Sequence, residues 1–276
     1  MSLWPLLTIY PTKTSMSSCD SWAYIVDRPR SGLENMRIDR ELLDWAEKCS
    51  HKITVVRFYQ WAVPTISLGK HQKVEEAVNQ IYCQRAAIPV VHRPTGGRAV
   101  FHEHELTYSL VSNHAKYFPL ESVKDTYRAI AAALRAGLQS LGIFAQLAKG
   151  ARESPPLAPS NGGKQPCFMT PSRYELLLGG YKLAGNAQRR LRRSFLQQGC
   201  FPLQVDYPKM AVALGIQENV LRKSLLSVSR ASGHQVAFET LCKALKEGFE
   251  KTFRVQLRVS SYPDEARPLF TRMRFL

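Results

Sequence analysis

The sequence predicts an α+β fold, a mixed β-sheet with helices packed on it. Three observations carry that prediction. Short runs rich in β-branched and aromatic residues alternate with segments of helical spacing, and no internal repeat or low-complexity run interrupts them. With 276 residues and 45% hydrophobic content, the chain has enough apolar material for a sizeable core. Its six cysteines, at positions 19, 49, 83, 167, 200 and 242, form no C-x-x-C pair and no metal-ligand spacing, so neither a disulfide framework nor a metal is needed to hold that core.

The elements follow in order. Residues 1–21 read as an N-terminal extension, with Pro5 and Pro11 followed by a polar stretch. The domain proper, residues 22–253, opens at Trp22 with the strand-like W-A-Y-I-V. Met36, Ile38, Leu42, Leu43 and Ala46 recur at helical spacing and predict a helix over 34–49. The run I-T-V-V-R-F-Y predicts a strand at 53–59, and a turn and short strand follow in W-A-V-P-T-I-S-L-G-K-H. Residues 87–93 form another β run. Together with 106–111 they predict strand, glycine-containing turn, strand.

A helix is expected over 122–141, closed by Gly142. Residues 148–166 hold four prolines and three glycines, a long loop that delivers Cys167. Segments 174–178 and 183–187 flank G-G-Y-K and read as a hairpin, with a strand at 194–203 after it. Amphipathic helices over 207–214 and 235–253 complete the domain and leave 254–276 as a C-terminal tail.

The N-terminus lacks a basic region ahead of its apolar residues, which argues against a signal peptide, and no run of about 18 apolar residues predicts a membrane helix. A cytoplasmic protein with reduced thiols is expected. The formal charge of +16 implies a strongly electropositive surface that attracts acidic partners. No helix-turn-helix, zinc finger or RNP-like aromatic motif points that charge toward nucleic acid.

Four segments carry chemistry. In H-R-P-T-G-G-R-A-V-F-H, the pair Gly96 and Gly97 lies between Arg93 and Arg98. Such a segment makes a plain hairpin, or a turn where backbone N–H groups and cations meet an anion or carbonyl oxygen. Cys167, at the exit of the Pro/Gly loop in P-C-F-M-T-P-S-R-Y-E-L, reads either as a loop thiol without a role or as a nucleophile whose thiolate nearby cations favour. Lys182 sits between Gly180 and Gly185 in G-G-Y-K-L-A-G-N-A-Q-R-R, in a turn that could equally leave it solvated. The fourth segment is L-Q-Q-G-C-F-P-L, residues 196–203.

All four occur in the order and approximate spacing of the lipoate-protein ligase, biotin ligase and octanoyltransferase superfamily, which residues 22–253 resemble. The family's R-R-x-T-G-G-G/R-x-V-x-H segment is matched by Arg93, Thr95, Gly96, Gly97, Arg98, Val100 and His102. Its K-x-x-G-S-A-Q segment is matched by Lys182, Gly185, Ala187 and Gln188. Stretches 31–39 and 57–72 are also similar, and C-F-x-x-P-S-x-Y-E-L at Cys167 is closest to the LipM-type octanoyltransferases. His92, Asn186 and Glu103 depart from the family pattern, standing where it has arginine, serine and aspartate.

The resemblance implies a biotin/lipoate ligase-like catalytic domain that moves an octanoyl group from octanoyl-acyl carrier protein to a lysine of a lipoyl domain, such as that of the glycine cleavage H protein. It implies Cys167 as acyl-carrying nucleophile and Lys182 as its catalytic partner. Arg93, Thr95, Gly96, Gly97, Arg98, His102, Gly185, Asn186, Ala187 and Gln188 would line the substrate. No cofactor, metal, nucleic acid or membrane is implied. The basic run 188–193 reads as a docking patch or an ordinary solvated stretch. The rival within the same fold is an ATP-dependent lipoate ligase, in which Cys167 would be incidental.

Overall fold

The computed structural model describes residues 21–148 and 175–260. The 148–166 loop beyond Ala148, and Cys167 at its exit, lie outside the described residues. Strand β1 (Ser21–Val26) leads through helix α1 (Gly32–Lys48) to β2 (Ile53–Tyr59), and the two strands pair in parallel. Helix α1 begins where it does because Ser31 and Glu34 form a capping box. The Ser31 hydroxyl accepts from the Glu34 N–H, and the Ser31 N–H donates to the Glu34 carboxylate at 3.0 Å.

The chain continues through β3 (Thr65–Leu68), α2 (Val74–Ala77), α3 (Gln80–Arg85), β4 (Val90–His92), β5 (Val100–His102) and β6 (Glu105–Ser112). Helix α4 (Val123–Ser140) and β7 (Gln146–Leu147) precede the undescribed segment. After it come β8 (Leu176–Leu178), β9 (Tyr181–Lys182), β10 (Gly185–Arg190) and β11 (Phe195–Pro202). The remainder is α5 (Tyr207–Leu214), α6 (Glu218–Ser224), α7 (Val228–Ser232), α8 (Phe238–Phe253) and β12 (Arg258–Val259).

A mixed six-stranded sheet of order β10-β11-β6-β2-β1-β12 is the backbone of the fold. Its strands alternate between two cores, as a period of two residues requires. Val56, Phe58, Leu106, Tyr108, Phe195 and Phe201 face α4 and α8, while Ile53, Val55, Val111 and Leu196 face α1. Helices α4 and α8 meet at their glycines. A Cβ added to Gly137 would stand 2.6 Å from the Ala244 carbonyl, so the helix backbones are in direct contact. Two three-stranded sheets, β4-β3-β5 and β7-β8-β9, complete the sheet structure of the described residues.

The structure corrects the expected strand–turn–strand over 90–111. Strands β4 and β6 lie in different sheets, and the Gly96–Gly97 turn carries the chain past β3 to the short β5. The Gly96 and Arg98 carbonyls of that turn accept from the Arg93 side chain rather than from a cross-strand partner. His104, with φ 47°, then redirects the chain into β6. The expected hairpin survives in part. Strands β8 and β9 pair across Gly179 and Gly180, both at positive φ, but β10 leaves to become the edge of the main sheet.

Candidate active site

Where the β10–β11 edge of the main sheet meets the β4-β3-β5 sheet, a narrow pocket opens. Met36, Tyr59, Trp61 and Val100 supply apolar walls, while Ser67, Arg93, His102 and Asn186 bring polar groups to it. An apolar slot with a few converging polar groups is the usual form of a small-ligand site.

His102 is buried and held on three sides. Its ring stacks on Trp61 with centroids 4.0 Å apart. Nδ1 lies 2.7 Å from Glu105 Oε1, and Nε2 lies 2.7 Å from the Ser67 hydroxyl. Because a carboxylate only accepts, Nδ1 carries a proton toward Glu105, and Nε2 is left to pair with the Ser67 hydroxyl. The Ser67 oxygen in turn accepts from Arg93 Nη1 at 3.1 Å. The Trp61 indole donates to the Thr107 hydroxyl at 2.8 Å, and Thr107 donates to Glu105, so the wall and the imidazole share one network.

The Thr95–Arg98 turn is built by Arg93. Its guanidinium donates to the carbonyls of Gly96, Arg98 and Ser67 at 2.7 to 3.1 Å. In the sequence this arginine is one of two cations flanking a turn that could meet an anion or a carbonyl oxygen; here its guanidinium holds that turn and also lines the pocket. Gly97 has φ 93°, and a Cβ on Gly69 would stand 1.9 Å from the Gly97 carbonyl. Only glycine permits this conformation and this approach. The space that a Cβ on Gly96 would occupy is open, and Arg98 is half-buried.

Thr95 is fully buried and ties the turn to the sheet, donating to Gln198 Oε1 at 2.8 Å. Gln198 Nε2 donates to Asp39 at 2.7 Å, and Asp39 also accepts from Arg57, Tyr59 and Ser109. Burial, and next the Asp39 carboxylate, push the Tyr59 hydroxyl well above its ordinary pKa, so it stays a donor. On the opposite wall Tyr108 donates to Asn186 Oδ1 at 2.7 Å and accepts from Gln197. Gln188 donates to Gln197 at 3.0 Å. A Cβ on Gly199 would collide with Asn186 Oδ1 and Tyr108, so that strand passes the wall closely enough to require glycine.

Lys182 is not solvated. Its side chain is 2% exposed, and Nζ lies 2.6 Å from Glu175 Oε1, itself 3% exposed. The backbone of β9 fixes it from both sides, pairing with Leu177 and accepting at its carbonyl from the Leu226 N–H. A buried lysine paired to a carboxylate costs desolvation that a purely structural contact would avoid by using apolar residues. Gly185, Asn186 and Ala187, just beyond Lys182 in the chain, form pocket wall.

Of the residues singled out from sequence, the pocket gathers Arg93, His102, Gly185, Asn186 and Ala187. Thr95, Gly96, Gly97 and Arg98 form the adjoining turn, while Gln188 and Lys182 stand outside the lining. Cys167 lies outside the described residues. Trp61, Ser67, Glu105 and Asp39 were missed as members of the site, while Gln198 lies in the fourth segment, 196–203, to which the sequence alone assigns no role. The basic run 188–193 is partly internal. Arg190 donates to the carbonyls of Leu120 and Ser122 and to Thr126, and Arg193 donates to Glu47. This reduces its share in any docking surface.

The family described as lipoyl protein ligase A/B catalytic domain matches residues 31–250, and the chain belongs to it. Among individual proteins, the chain is 33% identical over 254 residues to octanoyltransferase LipM of Halalkalibacterium halodurans, covering 89% of this chain and 91% of that one. It is 36% identical over 244 residues to octanoyltransferase LipM of Carboxydothermus hydrogenoformans, covering 86% and 88%. A putative lipoate protein ligase from T. acidophilum with bound lipoic acid shares the fold at TM-score 0.70 and 19% identity, covering 91% and 94% of the two chains.

Proposed function

We propose that this chain is an octanoyltransferase of lipoate biosynthesis that works through a Cys167 thioacyl-enzyme. The observation that carries the reading is the conjunction of relatives named octanoyltransferase LipM, 33% and 36% identical over most of the chain, with a pocket of apolar and polar walls that Gly185, Asn186 and Ala187, just beyond Lys182 in the chain, help to form. In the first step the Cys167 thiolate attacks the thioester carbonyl of octanoyl-acyl carrier protein. A new thioester forms and the carrier's thiolate leaves, an exchange nearly balanced in free energy. In the second step a lysine amine of a lipoyl domain, such as that of the glycine cleavage H protein, attacks the Cys167 thioester. The amide forms, the amine gives up a proton and the Cys167 thiol is regenerated, so the reaction runs downhill without ATP.

Lys182 favours the thiolate and donates to the acyl carbonyl oxygen, where negative charge develops. Glu175 positions it. The apolar walls of Met36, Tyr59, Trp61 and Val100 hold the acyl chain, and the backbone of the Gly96–Gly97 turn closes the polar end. The electropositive surface meets the acidic carrier and acceptor. Among the described residues no helix is long and apolar enough to cross a membrane.

The reading is tested by mixing enzyme, octanoyl-acyl carrier protein and a lipoyl domain without nucleotide and following the acceptor's mass. Octanoylation of the acceptor is expected. Modification that requires ATP and free acid, and survives Cys167→Ala, would replace this reading with the ligase one.

A further inference from the structure

Spacing along the chain shows no metal motif, but ligands need not be neighbours in sequence. His102 ends β5, Glu105 opens β6 and Cys200 lies near the end of β11. All three are buried, and one ligand atom from each lies within 4.8 Å of the other two. His102 and Cys200 both line the pocket. Sulfur, imidazole nitrogen and carboxylate oxygen make a borderline-soft donor set, which suits Zn²⁺ better than the hard cations Mg²⁺ or Ca²⁺.

We propose that His102, Glu105 and Cys200 form a Zn²⁺ site whose occupation closes the pocket. Three protein ligands leave a fourth position for water or a pocket ligand. The outer partners are already in place, since Thr107 donates to Glu105 and Ser67 faces the far nitrogen of His102. The protons balance. Zinc takes the Nδ1 lone pair, the imidazole proton moves to Nε2 where the Ser67 oxygen accepts it, and the Cys200 thiol proton passes to solvent. One bound ion therefore releases one proton from the thiol form. Nδ1 and Glu105 Oε1, now 2.7 Å apart, must separate by about 0.6–0.7 Å to span a tetrahedral ion with bonds of about 2.0–2.1 Å.

The binding readouts below do not depend on the octanoyltransferase reading; the inhibition readout does. Co²⁺ is titrated as a spectroscopic probe into metal-free protein carrying Cys167→Ser. The expected result is a thiolate-to-cobalt charge-transfer band with tetrahedral visible bands, bleached by Zn²⁺. Adding Cys200→Ser removes the charge-transfer band and weakens binding at least tenfold. X-ray absorption on zinc-loaded wild type needs no variant, and one sulfur at about 2.3 Å with nitrogen and oxygen at about 2.0–2.1 Å is expected. No charge-transfer band, a band that persists in the Cys200→Ser protein, or a shell with no sulfur or several sulfurs overturns the site. If acyl transfer is active, Zn²⁺ inhibition equally strong in wild type and Cys200→Ser overturns the claim that occupation closes the pocket.

Discussion

At the residue scale, the polar interior converges on Asp39, which accepts from Arg57, Tyr59, Ser109 and Gln198 and so reaches Thr95 in the glycine turn. Removing Asp39 leaves the buried Arg57 paired to Asp27 alone, and it strips the Tyr59, Ser109 and Gln198 donors of their shared acceptor. At about 1–3 kcal/mol for each buried group left unsatisfied, Asp39→Ala is expected to lower stability by about 3 kcal/mol or more, read as a fall in denaturant midpoint at unchanged slope. A loss below about 1 kcal/mol would mean that the network contributes little beyond packing. Thiols give a second test. Burial pushes the Cys83 and Cys242 thiols up from their ordinary range, which keeps them protonated and unreactive. Alkylation of the native protein near pH 8 should be much slower at these two than at half-buried Cys49, with the difference gone in denaturant; peptide mapping reads it. The Gly96–Gly97 and Lys182 motifs were legible in the sequence because each is local. Ser67, Asp39 and Gln198 were not, because their partners are distant. Ser67 meets His102 across 35 positions and Gln198 meets Asp39 across 159.

At the scale of elements, helices α1, α4 and α8 and strands β2, β6 and β11 were readable because each is long enough to repeat its period. Helices α2, α3, α6 and α7 were missed, since runs of four to seven residues make less than two full turns and show no periodicity. Strand β5, three residues long, was missed for the same reason, and with it the true path of the glycine turn. The close packing of α4 on α8 makes a sharp prediction. Added Cβ atoms at Gly137 and Gly248 meet backbone atoms of the opposing helix, which cannot rotate away. Gly248→Val should force the helices apart and cost on the order of 1–3 kcal/mol or more, read as a lowered Tm. An unchanged Tm would contradict the packing described here.

At the scale of the whole molecule, the α+β class follows from the alternation of β runs with helical segments in the sequence. The sorting of strands into three sheets does not, because pairing partners are chosen by tertiary packing. The net charge of +16 acts at this scale too. Raising ionic strength from about 0.05 to 0.5 M shortens the Debye length from over 10 Å to under 5 Å, so the KM for an acidic carrier protein should rise severalfold while kcat holds. A salt-independent KM would remove electrostatic docking from the account. The central claim, that Cys167 carries the acyl group under the control of Lys182, is tested most directly by intact mass and peptide mapping after brief exposure to octanoyl-acyl carrier protein. One octanoyl group is expected on the Cys167 peptide of the wild type. It should be absent from Cys167→Ser or present only as a stalled ester, and form about 100-fold to 1000-fold more slowly in Lys182→Ala. An octanoyl group found on Cys200 or another residue, or unimpaired ATP-independent transfer by Cys167→Ala, would contradict it.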